Sequence, residues 1–153
     1  MRTATTNLLG ALPAEGRKRI EALAREAAFA PDTRIFDEGR AADRFWVIRT
    51  GAVILDLRVP GRRPAAVETL GHGDLLGWSW LFPPYVWHFG AVTLSPVRAA
   101  EFDAVAVRAL CAADPELGHA LTLRTAEIIA HRLIAARSRL LDLYGPYGSA
   151  EEP

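Results

Sequence analysis

The sequence lacks most features that mark secreted, membrane and nucleic-acid-binding proteins. Its 153 residues include one cysteine, Cys111, so no internal disulfide can form. Eighteen basic residues balance eighteen acidic ones, and a chain without net charge lacks the positive field that attracts nucleic acids. The longest apolar stretch, 75–90, contains Pro83, Pro84 and His88, and no apolar signal segment begins the chain. We therefore expect a cytoplasmic protein with neither a membrane nor a nucleic acid as partner.

Composition and length predict one packed domain. Half of the residues are apolar and 24% are charged, which is typical of a globular protein with a sizeable core. The length is close to the roughly 150 residues of an average domain. Glycine and proline at 145–146 predict the end of the last helix. We expect a single domain over 1–145 and a flexible tail over 146–153.

The hydrophobic pattern changes twice along the chain. Pro13 at a first helical position, followed by Ile20, Leu23 and Ala27 at spacings of three and four, predicts a helix over 13–28. Residues 33–103 form short β-rich runs separated by glycine and proline turns every 8 to 12 residues or so, a spacing typical of a sandwich or barrel.

The last third of the chain is helical in pattern, over 104–144. Asp103 is placed to cap a short helix through Cys111, and Asp114-Pro115 is placed to start a second helix that continues to Tyr144. An apolar stripe with alternating spacings of three and four, as in a coiled coil, runs along this second helix. We call it the seam: Ile129, Leu133, Ala136, Leu140 and Leu143.

The seam predicts an interaction surface. A second apolar stripe lies beside it, so the helix must cover both its own domain and another surface. The simplest such surface is the same helix of a second copy, which predicts a homodimer; a different protein partner is also compatible. The alternative is one broad stripe buried inside the monomer.

Three motifs in this order resemble those of cyclic-nucleotide-binding domains of the catabolite-activator type. They are IFDEG at 35–39, DRFWVIRTG at 43–51 and LGHGDLLG at 70–77. The resemblance implies a mainly β fold, in which a β-roll (double-stranded β-helix or jelly roll) carries an N-terminal helix and a long C-terminal helix. It also implies a non-enzymatic regulatory or sensor module. Nine residues follow Tyr144, so we expect the DNA-binding winged helix of such regulators to be missing.

The resemblance also locates a phosphate-binding cassette, and the sequence departs from the family there. In nucleotide-binding members a Gly-Glu pair opens the cassette, the Glu accepts the ribose hydroxyl, and a later Arg pairs with the cyclic phosphate. Here Gly77 is kept, but Trp78 stands at the Glu position and Trp87 at the Arg position. A half-buried phosphate needs a charged partner or several backbone donors, whereas Trp offers one neutral N–H. We therefore expect a degenerate cassette.

The sequence allows several interpretations of the ligand site. The expected pocket residues are Gly77, Trp78, Ser79, Trp80, Trp87 and His88, and the resemblance makes Thr125 a base contact. The aromatic cluster at 78–89 fits either a small flat or apolar ligand held by stacking, or indoles that fill an empty cavity. A genuine cyclic AMP or cyclic GMP receptor would instead use backbone amides with Ser79, His88 and Thr125.

A cupin-like metal or haem protein is a further alternative. The histidines are His72, His88, His119 and His131, and their spacing lacks the His-x-His pattern of a cupin metal site. No nucleophile motif or phosphate loop is present. We expect no catalytic residues and no metal site.

Overall fold

The computed structural model describes residues 8–148. Helices flank a β-rich centre, and no helix in this part of the chain is both long enough and apolar enough to cross a membrane. The elements are α1 Ala14–Glu21, β1 Arg25–Phe29, β2 Arg34–Phe36, β3 Arg44–Thr50, β4 Val53–Leu57, β5 Ala65–Leu70, β6 Leu75–Leu76, a 3₁₀ turn Ser79–Leu81, β7 Gly90–Thr93, β8 Val97–Asp103, α2 Ala104–Ala113 and α3 Pro115–Gly148.

The centre consists of two four-stranded antiparallel sheets. Their strand orders are β1-β8-β3-β6 and β2-β7-β4-β5, so the chain alternates between the sheets as a roll does. Phe45 of β3 and Val53 of β4 are fully buried, and the core lies between the two sheets. The predicted mainly β architecture with a short N-terminal and a long C-terminal helix is confirmed.

The helix predicted over 13–28 is wrong in its second half. α1 ends at Glu21, and Arg25–Phe29 forms strand β1, paired antiparallel with β8. Ala27 and Phe29 are half-buried on one face of this strand. Their spacing of two suits a strand, while Ala27 also fits a helical pattern with Leu23. Backbone hydrogen bonds to β8 stabilise the strand rather than the helix at these residues. That pairing is a tertiary interaction, which local spacing does not reveal.

Asp103 and Asp114 start the two C-terminal helices as predicted. The Asp103 carboxylate accepts a hydrogen bond of 3.0 Å from the Ala106 N–H, and Asp114 accepts one of 3.2 Å from Leu117 N–H. α3 extends through Gly148, so the predicted end near residue 145 is wrong, and 146–148 are helical. The rest of the predicted tail, 149–153, lies outside the described residues.

Only the first half of α3 carries fully buried side chains, and it packs against the helices α1 and α2. Leu117, Leu121 and Ile128 are at most 1% exposed, whereas Leu133 is 69% and Leu143 is 70% exposed. The later turns of the helix contact the roll through Arg132 and Arg139 and present apolar side chains to solvent.

A bidentate ion pair joins the start of β2 to the end of β4. The Arg34 guanidinium donates to both carboxylate oxygens of Asp56, at 2.6 and 2.8 Å, and Asp56 is 6% exposed. The hydrogen bond to Asp56 raises the pKa of Arg34 above its usual value. Gly90 of β7 lies directly against this pair. A side chain at residue 90 would overlap the Arg34 and Asp56 side chains unless they moved.

We expect Gly90→Ala to destabilise the protein by about 1 to 2 kcal/mol, because the added Cβ displaces the half-exposed Arg34 guanidinium from the buried Asp56 carboxylate. The added Cβ would lie 2.1 Å from Arg34 Nη2 and 2.4 Å from Asp56 Oδ1. Urea denaturation measures the loss. Gly71→Ala is the control, because the nearest atom to its Cβ is 4.0 Å away. Equal midpoints for the two variants would contradict the steric argument.

Candidate ligand site

The cassette opens where β6 ends, at Gly77. Its φ of +97° lies in the left-handed region, which favours glycine. The six-membered ring of Trp87 covers the residue, and a Cβ on Gly77 would lie 2.7 Å from two of its carbons. Both the backbone conformation and the indole therefore require glycine here.

Trp87 is buried at the place where the resemblance puts the phosphate-binding Arg. Its ring centroid lies 3.9 Å from that of Phe36 and 6.2 Å from that of Trp46, with near-parallel planes against Phe36. The space left beside it, next to Ser79 and Arg132, is about 10 Å³. That is room for about one water molecule. In this conformation the indole fills the site.

The polar side chains of the cassette are engaged with each other. Ser79 Oγ and His88 Nδ1 are 3.0 Å apart, and the His88 ring stacks on Trp78 with centroids 5.2 Å apart. Trp78 also stacks on Phe82. The turn that begins at Ser79 is three residues long, which is too short for a helix dipole that could hold an anion.

Two expected site residues lie elsewhere. Trp80 is fully buried in the core, stacked on Phe45 at 4.3 Å, and its Nε1–H donates to the Gly77 carbonyl oxygen at 3.1 Å. Thr125 is fully buried, and its hydroxyl donates to the Leu121 carbonyl of its own helix at 2.8 Å. A contact between Thr125 and a ligand base would require the hydroxyl to leave this hydrogen bond.

A larger space lies between the roll and α3, and we call it the helix cleft. Its volume is about 220 Å³. The roll contributes Leu55, Val67, Glu68, Trp78 and Phe89, and α3 contributes Ile129, Arg132, Leu133, Ala136 and Arg139. Three of the five seam residues therefore line a cleft within one copy of the chain, and only the later ones face away from it.

Arg132 is the site residue that the sequence interpretation missed. Its side chain is 13% exposed, its Nη2–H donates to the Leu75 carbonyl oxygen, and its Nε lies 4.0 Å from a Glu68 carboxylate oxygen. Its buried Nη1 has no hydrogen-bond partner in the described part of the chain. Burial lowers the pKa of Arg132, and the charges of Glu68 and Asp74 oppose that shift.

The sequence did carry a signal for this residue. Arg132 and Arg139 are seven residues apart, so they share one face of the helix, and both lie between members of the apolar seam. Two arginines at heptad spacing inside an apolar stripe indicate that the stripe borders something polar.

Metal-ligating side chains are not clustered. No group of three or more His, Cys, Asp or Glu residues within 8–148 could hold a metal ion. The His72 Nδ1 lies 2.6 Å from the Arg49 carbonyl oxygen, and His88 is engaged by Ser79. Burial, followed by the charge of Asp114, raises the pKa of the Cys111 thiol, which makes it a weaker nucleophile.

Comparison with known proteins places this architecture in a family. The family model of the cyclic nucleotide-binding domain matches residues 26–114. The chain belongs to this family. A CRP-like cAMP-activated global transcriptional regulator of Mycobacterium tuberculosis, found in two strains, is 31% identical over 109 residues. The match covers 71% of this chain and 47% of the regulator, so this chain spans about half of that relative's length.

Solved structures agree with the family assignment. The N-terminal domain of a transcriptional regulator from Streptomyces coelicolor is 26% identical, with a TM-score of 0.66 over 87% of this chain and 90% of that one. A cyclic nucleotide-binding domain from Methylobacillus flagellatus has a TM-score of 0.79 at 19% identity, over 90% of this chain and 81% of that one. The predicted family and its β-roll are confirmed.

We expect Trp87→Ala to lower the free energy of unfolding by about 3 to 5 kcal/mol, since it removes a buried indole and leaves a cavity. Urea denaturation measures the loss. Trp78→Ala is the control, because Trp78 is only half-buried and its ring stacks on His88 and Phe82, at the cassette surface. A smaller loss for Trp87→Ala than for Trp78→Ala would contradict the packing role of Trp87.

Proposed function

We propose that this chain is a non-enzymatic regulatory module of the cyclic nucleotide-binding domain family, with a degenerate phosphate-binding cassette. The observation that carries the proposal is the burial of Trp87 over Gly77, which leaves about 10 Å³ at the expected phosphate position. Such a module acts through a change in α3, either within a dimer or on a protein partner.

The energetics of the cassette favour this proposal over tight cyclic nucleotide binding. Losing a charge-assisted hydrogen bond to the phosphate costs about 1.5 to 3 kcal/mol, which weakens binding by roughly 10- to 150-fold. Trp78 in place of Glu removes the acceptor for the ribose hydroxyl as well. A cyclic phosphate would also have to displace Trp87 from its stack on Phe36, which adds a further cost.

We expect calorimetric titration with cyclic AMP and with cyclic GMP to show no binding at micromolar concentrations. The expectation follows from the two missing polar partners and the buried indole. Adenosine 5′-monophosphate serves as the non-cyclic control. A micromolar dissociation constant for either cyclic nucleotide, absent for the control, would overturn the proposed function.

The alternative of a genuine receptor would need backbone amides together with Ser79, His88 and Thr125 as replacement ligands. Ser79 and His88 contact each other, and Thr125 bonds within α3, so none of the three side chains points to an open phosphate position. If titration does show binding, Ser79→Ala and His88→Ala report whether these two side chains contribute to it.

The later turns of α3 support a homodimer as the form in which the module acts. Beyond the cleft, the described part of the helix carries several large apolar side chains that are more than half exposed. They are Ile134, Leu140, Leu141, Leu143 and Tyr144. Contiguous exposed apolar surface of this kind is typical of a protein–protein interface. The same face of a second copy is the simplest surface that could cover it.

We expect Leu140→Glu to convert a dimer of twice 16.7 kDa to a monomer of 16.7 kDa, because an unpaired carboxylate would be buried in the interface. Leu140 does not line the helix cleft, so the site stays intact. Light scattering after size exclusion measures the mass. Val105→Glu on α2, at 61% exposure, is the matched control. A monomeric parent protein would remove the dimer from the proposal.

A further inference from the structure

We propose that the helix cleft binds a small apolar carboxylate whose acid group pairs with Arg132. The proposal rests on the proposed function, because it names the ligand class of a sensor whose cassette no longer takes a cyclic phosphate. It also assigns a role to Arg132, a buried arginine that has no role in the predicted phosphate-binding cassette.

The size of the helix cleft limits the ligand. An apolar cavity of about 150 Å³ holds a benzene molecule. A volume of about 220 Å³ therefore suits a ligand of roughly nine non-hydrogen atoms, such as one ring with a single acid group. A nucleotide is too large for this space unless α3 moves away from the roll.

The walls of the cleft favour an apolar body. Leu55 and Val67 line it from the roll, and Ile129 and Leu133 line it from α3. The half-buried indole of Trp78, which stacks on His88 and Phe82, adds further apolar surface to the wall. Mostly apolar walls with a few placed polar groups are the usual character of a small-molecule site.

Arg132 determines the sign of the ligand's charge. Its Nη1 is buried without a hydrogen-bond partner, and an unsatisfied buried donor is costly. The guanidinium stays protonated in proteins, so an anion would satisfy both the charge and the donor. Arg139 and Glu68 also line the cleft. The Asp74 carboxylate acts on Arg132 from outside the cleft, so the two cations and two carboxylates balance, and the unpartnered Arg132 N–H is what favours an anion over a cation.

The chemistry of Arg132 favours a carboxylate over a phosphate. One unpartnered nitrogen suits a monoanionic carboxylate, whereas a phosphate monoester carries up to two charges on three terminal oxygens that require donors. A cyclic phosphate has one charge and two terminal oxygens, and it is disfavoured here by the size of the nucleotide that carries it. The cassette, which holds the phosphate in nucleotide-binding relatives, is filled by Trp87. The Arg132 guanidinium also donates to the Leu75 carbonyl oxygen of β6. A carboxylate bound to Arg132 would therefore contact the residue that links α3 to the roll.

Titration with benzoate and with benzamide tests the charge requirement directly, because the two have the same shape and differ in charge. We expect benzoate to bind in the submillimolar range and benzamide to bind at least tenfold more weakly. Benzylamine, a cation of similar size, should not bind. Absence of benzoate binding, or equal affinity for benzoate and benzamide, would overturn the proposal.

Variants of Arg132 identify the residue responsible. We expect Arg132→Met to weaken benzoate binding on the order of 10- to 100-fold, the usual cost of one charge-assisted contact, with little effect on benzamide. Arg137→Met is the matched control, since Arg137 lies on the same helix, is exposed and does not line the cleft. Should Arg132→Met fail to fold, Arg132→Lys keeps the charge and should retain a preference for benzoate over benzamide. Unchanged benzoate affinity in Arg132→Met, or loss of the preference in Arg132→Lys, would overturn the proposal.

Cyclic AMP as a competitor separates this proposal from the proposed function. If cyclic AMP binds tightly and displaces benzoate, the proposed function fails while the role of Arg132 stands. If neither compound binds, the carboxylate proposal fails while the degenerate cassette stands.

Discussion

The stacking of Trp87 on Phe36 and over Gly77 is the contact on which the site depends. With the indole in that place, residue 77 can only be glycine, and the polar side chains of the cassette are left to bond each other. The family holds its ligand at this corner of the roll. Here a neutral, buried ring occupies the corner, and the open space lies a few residues away, against α3.

The long helix has two halves with different environments. Its first half is part of the core, while its second half borders the helix cleft and then presents apolar side chains to solvent. Arg132 and Arg139 hold the second half to the roll by donating to the Leu75 and Val67 carbonyl oxygens. These contacts are polar and few, so they resist displacement less than the packed core does. The proposed ligand site and the proposed dimer surface therefore meet on the segment of α3 that is least constrained.

Much of the fold could be predicted from the sequence because the signals are local. Alternating apolar residues, turn glycines and the helix caps at Asp103 and Asp114 each act within a few residues. The prediction was wrong where two local patterns competed, as at 25–29, where pairing with β8 decided for a strand. For the site, Trp78, Ser79, Trp87 and His88 line one small space together with Arg132, which the sequence interpretation did not include, whereas Trp80 and Thr125 do not line it.

The sequence by itself determined the family and the order of the main elements, and it predicts that tryptophans replace two charged ligand positions. Those properties depend on residue identity and on spacing along the chain. Only the tertiary structure decided where each indole points, that the cassette is filled, and that a cleft remains beside a buried arginine. The direction of a side chain and the volume between two elements depend on packing between residues far apart in sequence, such as Phe36 with Trp87 and Leu75 with Arg132.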